Sequence, residues 1–169
     1  GDITAKQGRS GTLVFVTVEH EYSSGGRLCI REKQSIVYRE ISVPRPVKNA
    51  PAAVDPTTLR SSLAPDPVLL FRYSALTFNA HRIHYDHVYA TETEAYAGLV
   101  VHGPLQAILL NLAAEALKSS PHRFSFRGLA PLTLPCELQL HSEGAENSGT
   151  VWCQDQTGLR SFTAEYATV

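Results

Sequence analysis

Four of the chain's seven histidines, His81, His84, His87 and His102, fall within 22 residues. Three recur every third residue in FNAHRIHYDH, and the fourth stands in LVVHGPLQA. A metal site needs ligands that converge on one locus, as two histidines flanking an acid on one helix face do. No acid separates His81 from His84, and Cys29, Cys136 and Cys153 are remote in sequence, so no metal site is expected. Proton transfer suits these residue types better, because imidazole titrates nearest neutrality and can both accept and return a proton. His84, flanked by Phe78, Tyr85 and Tyr89, is the candidate base, whereas His81 and His87 read as ordinary loop residues. Asn79, five residues earlier, can hold a water by hydrogen bonds without taking its proton.

The second chemical element is His102-Gly103-Pro104. A helix starting there offers free backbone N–H groups and the positive end of its dipole. Glycine lets a ligand approach that backbone closely, so the helix start can receive the charge that develops on a carbonyl oxygen.

Those residues need a scaffold. TLVFVTVEH (12–20) and LCIREKQSIVYREIS (28–42) are β-rich and, across the turn SSGGR, form a hairpin. Residues 1–11 are polar and show no periodicity. Residues 44–67 hold six of the ten prolines and read as a semi-rigid linker. VLLFRYSALTF (68–78) reads as a strand that places His84 just beyond its end, and short helical turns are expected around 86–97. From Pro104 onward Leu105, Ile108, Leu109, Leu112, Ala113, Ala116 and Leu117 recur at helical spacing, with the proline where its missing N–H is harmless. After Pro121 the period changes to that of strands, in RFSFRGLA, TLPCELQLHSE, GTVWCQDQ and LRSFTAEYATV. A sheet wrapped around one long helix, an α+β arrangement, accounts for this order.

Composition narrows the function. Hydrophobic residues make up 43% and charged residues 18%, with a net charge of −1, so neither nucleic acid nor an anionic membrane surface is an expected partner. Three cysteines without a C-x-x-C pair argue against a disulfide framework and for a reducing compartment. No apolar run approaches the roughly 20 residues of a membrane span, and nothing resembles a signal peptide. The chain starts at Gly1 and has no Met, so it reads as a processed piece with sequence upstream.

Together, Asn79-Ala80-His81-Arg82-Ile83-His84 with Asp86, and His102-Gly103 at a helix start, resemble the MaoC-like or R-specific enoyl-CoA hydratases of the hot-dog fold. That family carries Asp, any residue, Asn, Pro, Ile and His, a following Asp, and then a His-Gly pair. RYSALTFNAHRIHYD and LVVHGPLQA bring the chain nearer to the subgroup of mesaconyl-CoA hydratases and mitochondrial 3-hydroxyacyl-thioester dehydratases. The resemblance implies a β-hairpin remnant of a degenerate first hot-dog half at 1–48, the Pro-rich linker at 49–67 and a hot-dog domain at 68–169. It implies a hydro-lyase that moves water across the α,β-bond of an acyl-CoA or acyl-carrier thioester, in fatty acid metabolism, without a metal or cofactor. His84 and Gly103 then carry the catalysis, Asn79 stands where the family has Asp, and Asp86 gives support. His102, Tyr85, Tyr89 and Arg82 are the expected substrate contacts. Paired hot-dog units, as a homodimer or higher homo-oligomer, are expected, in the cytoplasm or, in a eukaryote, the mitochondrial matrix. The alternatives are an acyl-CoA thioesterase, weakened because Glu115 is the helix's only acid, and a non-catalytic acyl-thioester-binding subunit.

Overall fold

Residues 1–8, 11–39, 57–117, 123–145 and 147–168 are described by a computed structural model, in two units, Gly1–Val43 and Pro44–Val169. In the first unit the β-rich runs form β2 (Gly11–Ser24) and β3 (Arg27–Arg39), antiparallel, with Ser24 opposite Arg27. The loop is Gly25-Gly26, both at positive φ, +56° and +76°, the two-residue turn whose twist matches the strands. A third strand, β1 (Asp2–Gly8), pairs along β2, although residues 1–11 show no strand period. Residues 40–42 of the expected second strand lie outside the described residues.

In the second unit, five strands form one antiparallel sheet, β4 (Leu59–Leu63), β5 (Arg123–Gly128), β6 (Leu138–Ala145), β7 (Ser148–Gln154) and β8 (Arg160–Ala167), in the order β4-β6-β7-β8-β5. Residues 44–56 of the expected linker lie outside the described residues, and β4, within its remainder, is an edge strand of this sheet. The sheet curls around α2 (Gly103–Glu115), the hot-dog arrangement. Leu105, Ala107, Leu110 and Ala114 of α2 meet Leu138, Leu140, Val151, Cys153, Phe162, Ala164 and Tyr166 of the sheet in the core. The buried helix face is rotated from the one expected: Ile108 and Leu112 are half exposed.

Residues 68–78 are not a strand. Pro67–Leu76 is helix α1, because Asp66 accepts the Leu69 N–H at 2.7 Å and Pro67 occupies the first helical position. Leu70 and Ser74, one turn apart, are its buried residues. The helix ends with Phe78 at φ +53°, so that Asn79 N–H reaches the Ser74 carbonyl at 2.9 Å and Phe78 N–H the Ala75 carbonyl. Phe78 is 93% exposed and forms no part of an apolar pocket around His84.

Candidate active site

The chain leaving α1 is aimed by Asn79, whose Oδ1 accepts the His81 N–H at 3.0 Å. One 3₁₀ turn, Arg82–His84, follows, with Ile83 in the core. The Ile83 carbonyl accepts Val100 N–H at 3.0 Å, which fastens this turn to the extended segment preceding α2. That segment is held on its other side by Val101 N–H to the Leu132 carbonyl (2.8 Å) and Leu134 N–H to the Leu99 carbonyl (2.9 Å).

His84 is buried, and its Nδ1 lies 2.7 Å from the Val100 carbonyl oxygen. A carbonyl only accepts, so Nδ1 carries the hydrogen and the lone pair of the neutral ring sits on Nε2. Among the described residues Nε2 has no hydrogen-bond partner. Burial lowers the His84 pKa below the ordinary histidine value; the Val100 bond opposes this and His81 adds to it. His84 is thus a neutral acceptor at pH 7.

His84 opens onto a cavity of about 320 Å³ whose other walls are Val100, Val101, Gly103, Gln106, Gly128–Pro131 and Phe162. Gly103 and Leu105 begin α2 without intrahelical acceptors for their N–H groups; Gln106 N–H is taken by the His102 carbonyl at 3.2 Å. A Cβ on Gly103 would stand 3.3 Å from Phe162 Cε2, so glycine is what lets that ring close against the helix start. A base and a helix N-terminus therefore face one apolar cavity. General-base removal of a proton, with the resulting charge received at backbone N–H groups, is the chemistry this arrangement can perform.

The other expected site residues are placed differently. His102 is fully buried behind His84, its ring 3.7 Å from the His84 ring and 18° from parallel, so it does not line the cavity as a substrate contact. Its Nε2 lies 2.8 Å from Ser74 Oγ, and Tyr73 meets its edge. Burial, with the neighbouring His84 charge, pulls its pKa down to about 4.

Asn79 does not line the cavity either, and its oxygen is engaged at His81. Asp86 accepts the Tyr89 N–H at 3.0 Å and pairs with Arg82 at 2.7 Å, a structural clasp that holds its carboxyl below the usual range. Arg82 also lies over the Tyr89 ring, whose hydroxyl donates to Glu94, and Tyr85 donates to the Ala80 carbonyl, so these three are engaged with the loop itself. Among the described residues no group of three or more His, Cys, Asp or Glu side chains is placed to hold a metal ion.

Gln106 went unread in the sequence. Apart from His84 it is the lining residue with a polar side chain, and it is 2% exposed. The available signal was its spacing: three residues after Gly103, it returns to the same helix face.

The curled antiparallel sheet, the central helix and the cavity at that helix's N-terminus define a hot-dog protein. The chain belongs to the family described as hydroxyacyl-thioester dehydratase type 2, whose sequence profile matches residues 3–134. It is 53% identical over 134 residues to the mesaconyl-C(4)-CoA hydratase of Chloroflexus aurantiacus, covering 78% of this chain and 48% of that protein. It is 35% identical over 149 residues to the mitochondrial hydroxyacyl-thioester dehydratase type 2 of Schizosaccharomyces pombe, covering 78% of this chain and 44% of that one. The chain spans about half the length of these relatives. Of solved structures, HtdX from Mycobacterium tuberculosis matches 98% of this chain and 66% of its own, with a TM-score of 0.74 and 20% identity. The R-hydratase PhaJ1 from Pseudomonas aeruginosa matches 63% of this chain and 74% of its own, with a TM-score of 0.52 and 19% identity. At those identities the likeness is one of fold.

Proposed function

We propose that the chain carries a hydro-lyase site for acyl thioesters of the enoyl-CoA and 3-hydroxyacyl-CoA type, bound to CoA or a carrier. The observation that supports this most is the tautomer of His84: with Nδ1–H committed to the Val100 carbonyl, Nε2 is left as an acceptor beside Gly103. In hydration, Nε2 takes a proton from water as the water oxygen bonds to C3. Electrons move to the thioester oxygen, which Gly103 N–H receives. The imidazolium then returns its proton to C2. Dehydration runs the same steps backwards: Nε2 takes the C2 proton, the C3 oxygen leaves, and the imidazolium protonates it to water. These steps need no cofactor.

Asn79 acts on this reading through the loop that presents His84. The thioesterase alternative is less well supported, because Glu115 is exposed at the far end of α2 and bonded to Asn111. A homodimer of hot-dog units remains our reading, favoured by the exposed Ile108, Leu112 and Phe126, and sedimentation reads it directly. The free Cys29, Cys136 and Cys153 suit a reducing compartment, cytoplasm or mitochondrial matrix. No helix among the described residues is long and apolar enough to cross a membrane.

The experiment is hydration of crotonyl-CoA and mesaconyl-CoA, followed by loss of enone absorbance. His84→Ala is expected to lower kcat by about 10²–10⁴-fold. Unchanged turnover would remove His84 as the base. Saturable binding without turnover in the unmodified chain would favour the non-catalytic alternative, and release of free CoA the thioesterase.

A further inference from the structure

Water, or the hydroxyl it becomes, has to be held at C3 while His84 moves its proton, and Asn79 does not reach into the cavity to do this. Gln106 does line it. Its Oε1 accepts the Ser161 hydroxyl at 2.6 Å, and its Nε2 donates to the Val101 carbonyl at 3.4 Å. The Val101 contact sets this orientation of the amide, because the reverse flip would place amide oxygen against carbonyl oxygen. The oxygen is thus committed to β8, while Nε2 has two hydrogens and one long bond. One N–H is left, on a buried side chain that lines a cavity whose other polar side chain is His84.

Gln106 and His84 are anchored on adjacent carbonyls, Val101 and Val100 respectively, so the amide and the base are set by one stretch of backbone. Gln106 also lies three residues along α2 from Gly103, a rise of about 4.5 Å. In the substrate the thioester carbon and C3 are two bonds apart. A thioester oxygen at Gly103 would then set C3 toward the part of the cavity that Gln106 lines.

We infer that Gln106 is a catalytic and specificity-determining residue whose free amide N–H donates to the oxygen at C3, the β-hydroxyl in one direction and the attacking water in the other. The inference rests on the hydro-lyase reading and names the group that selects a 3-hydroxyacyl chain over a plain acyl chain. Donation to the leaving oxygen assists its departure, and Ser161 keeps the amide aimed by occupying its other end.

The test is equilibrium binding, measured by calorimetry, of 3-hydroxybutyryl-CoA and butyryl-CoA to the unmodified chain and to Gln106→Leu. The unmodified chain is expected to prefer the hydroxylated thioester by about tenfold. In Gln106→Leu that preference is lost while butyryl-CoA affinity is kept, and Ser161→Ala weakens it partway. Gln106→Met serves where the Leu variant does not fold, as judged by its melting curve.

A preference that survives the Leu or Met change would overturn the assignment, as would its absence from the unmodified chain. Failure of the hydro-lyase reading looks different: the hydroxyl preference is present in the unmodified chain and lost in Gln106→Leu, but crotonyl-CoA is never hydrated.

Discussion

The imidazoles of His84 and His102 lie face to face, 3.7 Å apart and 18° from parallel, with His102 wholly out of solvent. Two positive rings at that separation would repel by about 4 kcal/mol at an effective dielectric of about 20. The two rings therefore do not both carry charge, and burial, which lowers both pKa values, keeps the pair neutral at pH 7. His102 binds its proton in the unfolded chain near pH 6.5 but in the folded chain only at about 4. Stability is accordingly full above pH 6.5 and falls as pH drops from 6.5 to about 4, where the unfolded state binds more protons. The loss from His102 is roughly 2 kcal/mol after allowance for screening. Urea melts across this window measure it, and His102→Phe, which keeps an aromatic partner for His84, should flatten the slope relative to the unmodified chain.

Gly103→Ala places a methyl 3.3 Å from Phe162 Cε2, at the mouth of the helix start. Alanine is a good helix former, so stability should change by less than about 1 kcal/mol. The N–H approach is crowded, and kcat/KM on crotonyl-CoA should fall by about 10–100-fold. Equal losses in stability and turnover would show that the residue serves packing alone.

Gly98→Ala is expected to be costly through the segment that anchors His84. Its Cβ would collide with the Leu134 carbonyl oxygen, so backbone must shift. The cross-links of this extended segment at Leu99–Leu134 and Val101–Leu132 lie immediately beyond. A destabilisation of about 2–4 kcal/mol in a denaturant titration is expected, with activity falling even where the variant folds.

Phe78→Gly should stabilise the protein. Phe78 holds φ +53° at the end of α1 and is 93% exposed, so glycine relieves strain and forfeits almost no packing. A gain of about 1 kcal/mol is expected in thermal melts, with crotonyl-CoA turnover unchanged.

The sequence showed α2 and the strands β5 to β8 because their apolar residues recur at the periods of a helix and of half-buried strands. It concealed α1, whose Val68, Phe71 and Leu76 are β-like or greasy yet exposed. There the deciding signals were the two residues before the run, Asp66 and Pro67, and not the run itself. It concealed β1 and β4, since DITAKQG and LRSSL are mostly polar and owe their state to the strand each pairs with. At the site, His84 and Gly103 were legible from residue type and spacing. The interior place of His102 was not, because a histidine that stacks behind another and one that meets a ligand have the same letter. The role of Asp86 as a cap followed from hydrogen bonds to Tyr89 and Arg82 that only the folded loop creates.

Between Gly98 and Gly103 a few residues do several jobs at once. Val100 takes the His84 proton donor, Val101 takes the Gln106 amide, and the chain then becomes the N-terminus of α2. The acceptor nitrogen and the N–H donor are thus mounted on one rail and share any displacement of it. Their mutual distance is protected from small movements of the loops outside, but neither can be re-aimed alone by changing the rail. Altered substrate preference in related chains is therefore expected to arise in the rest of the lining, at Gly128–Pro131 and Phe162, where the cavity can be reshaped with His84 and Gln106 left in place.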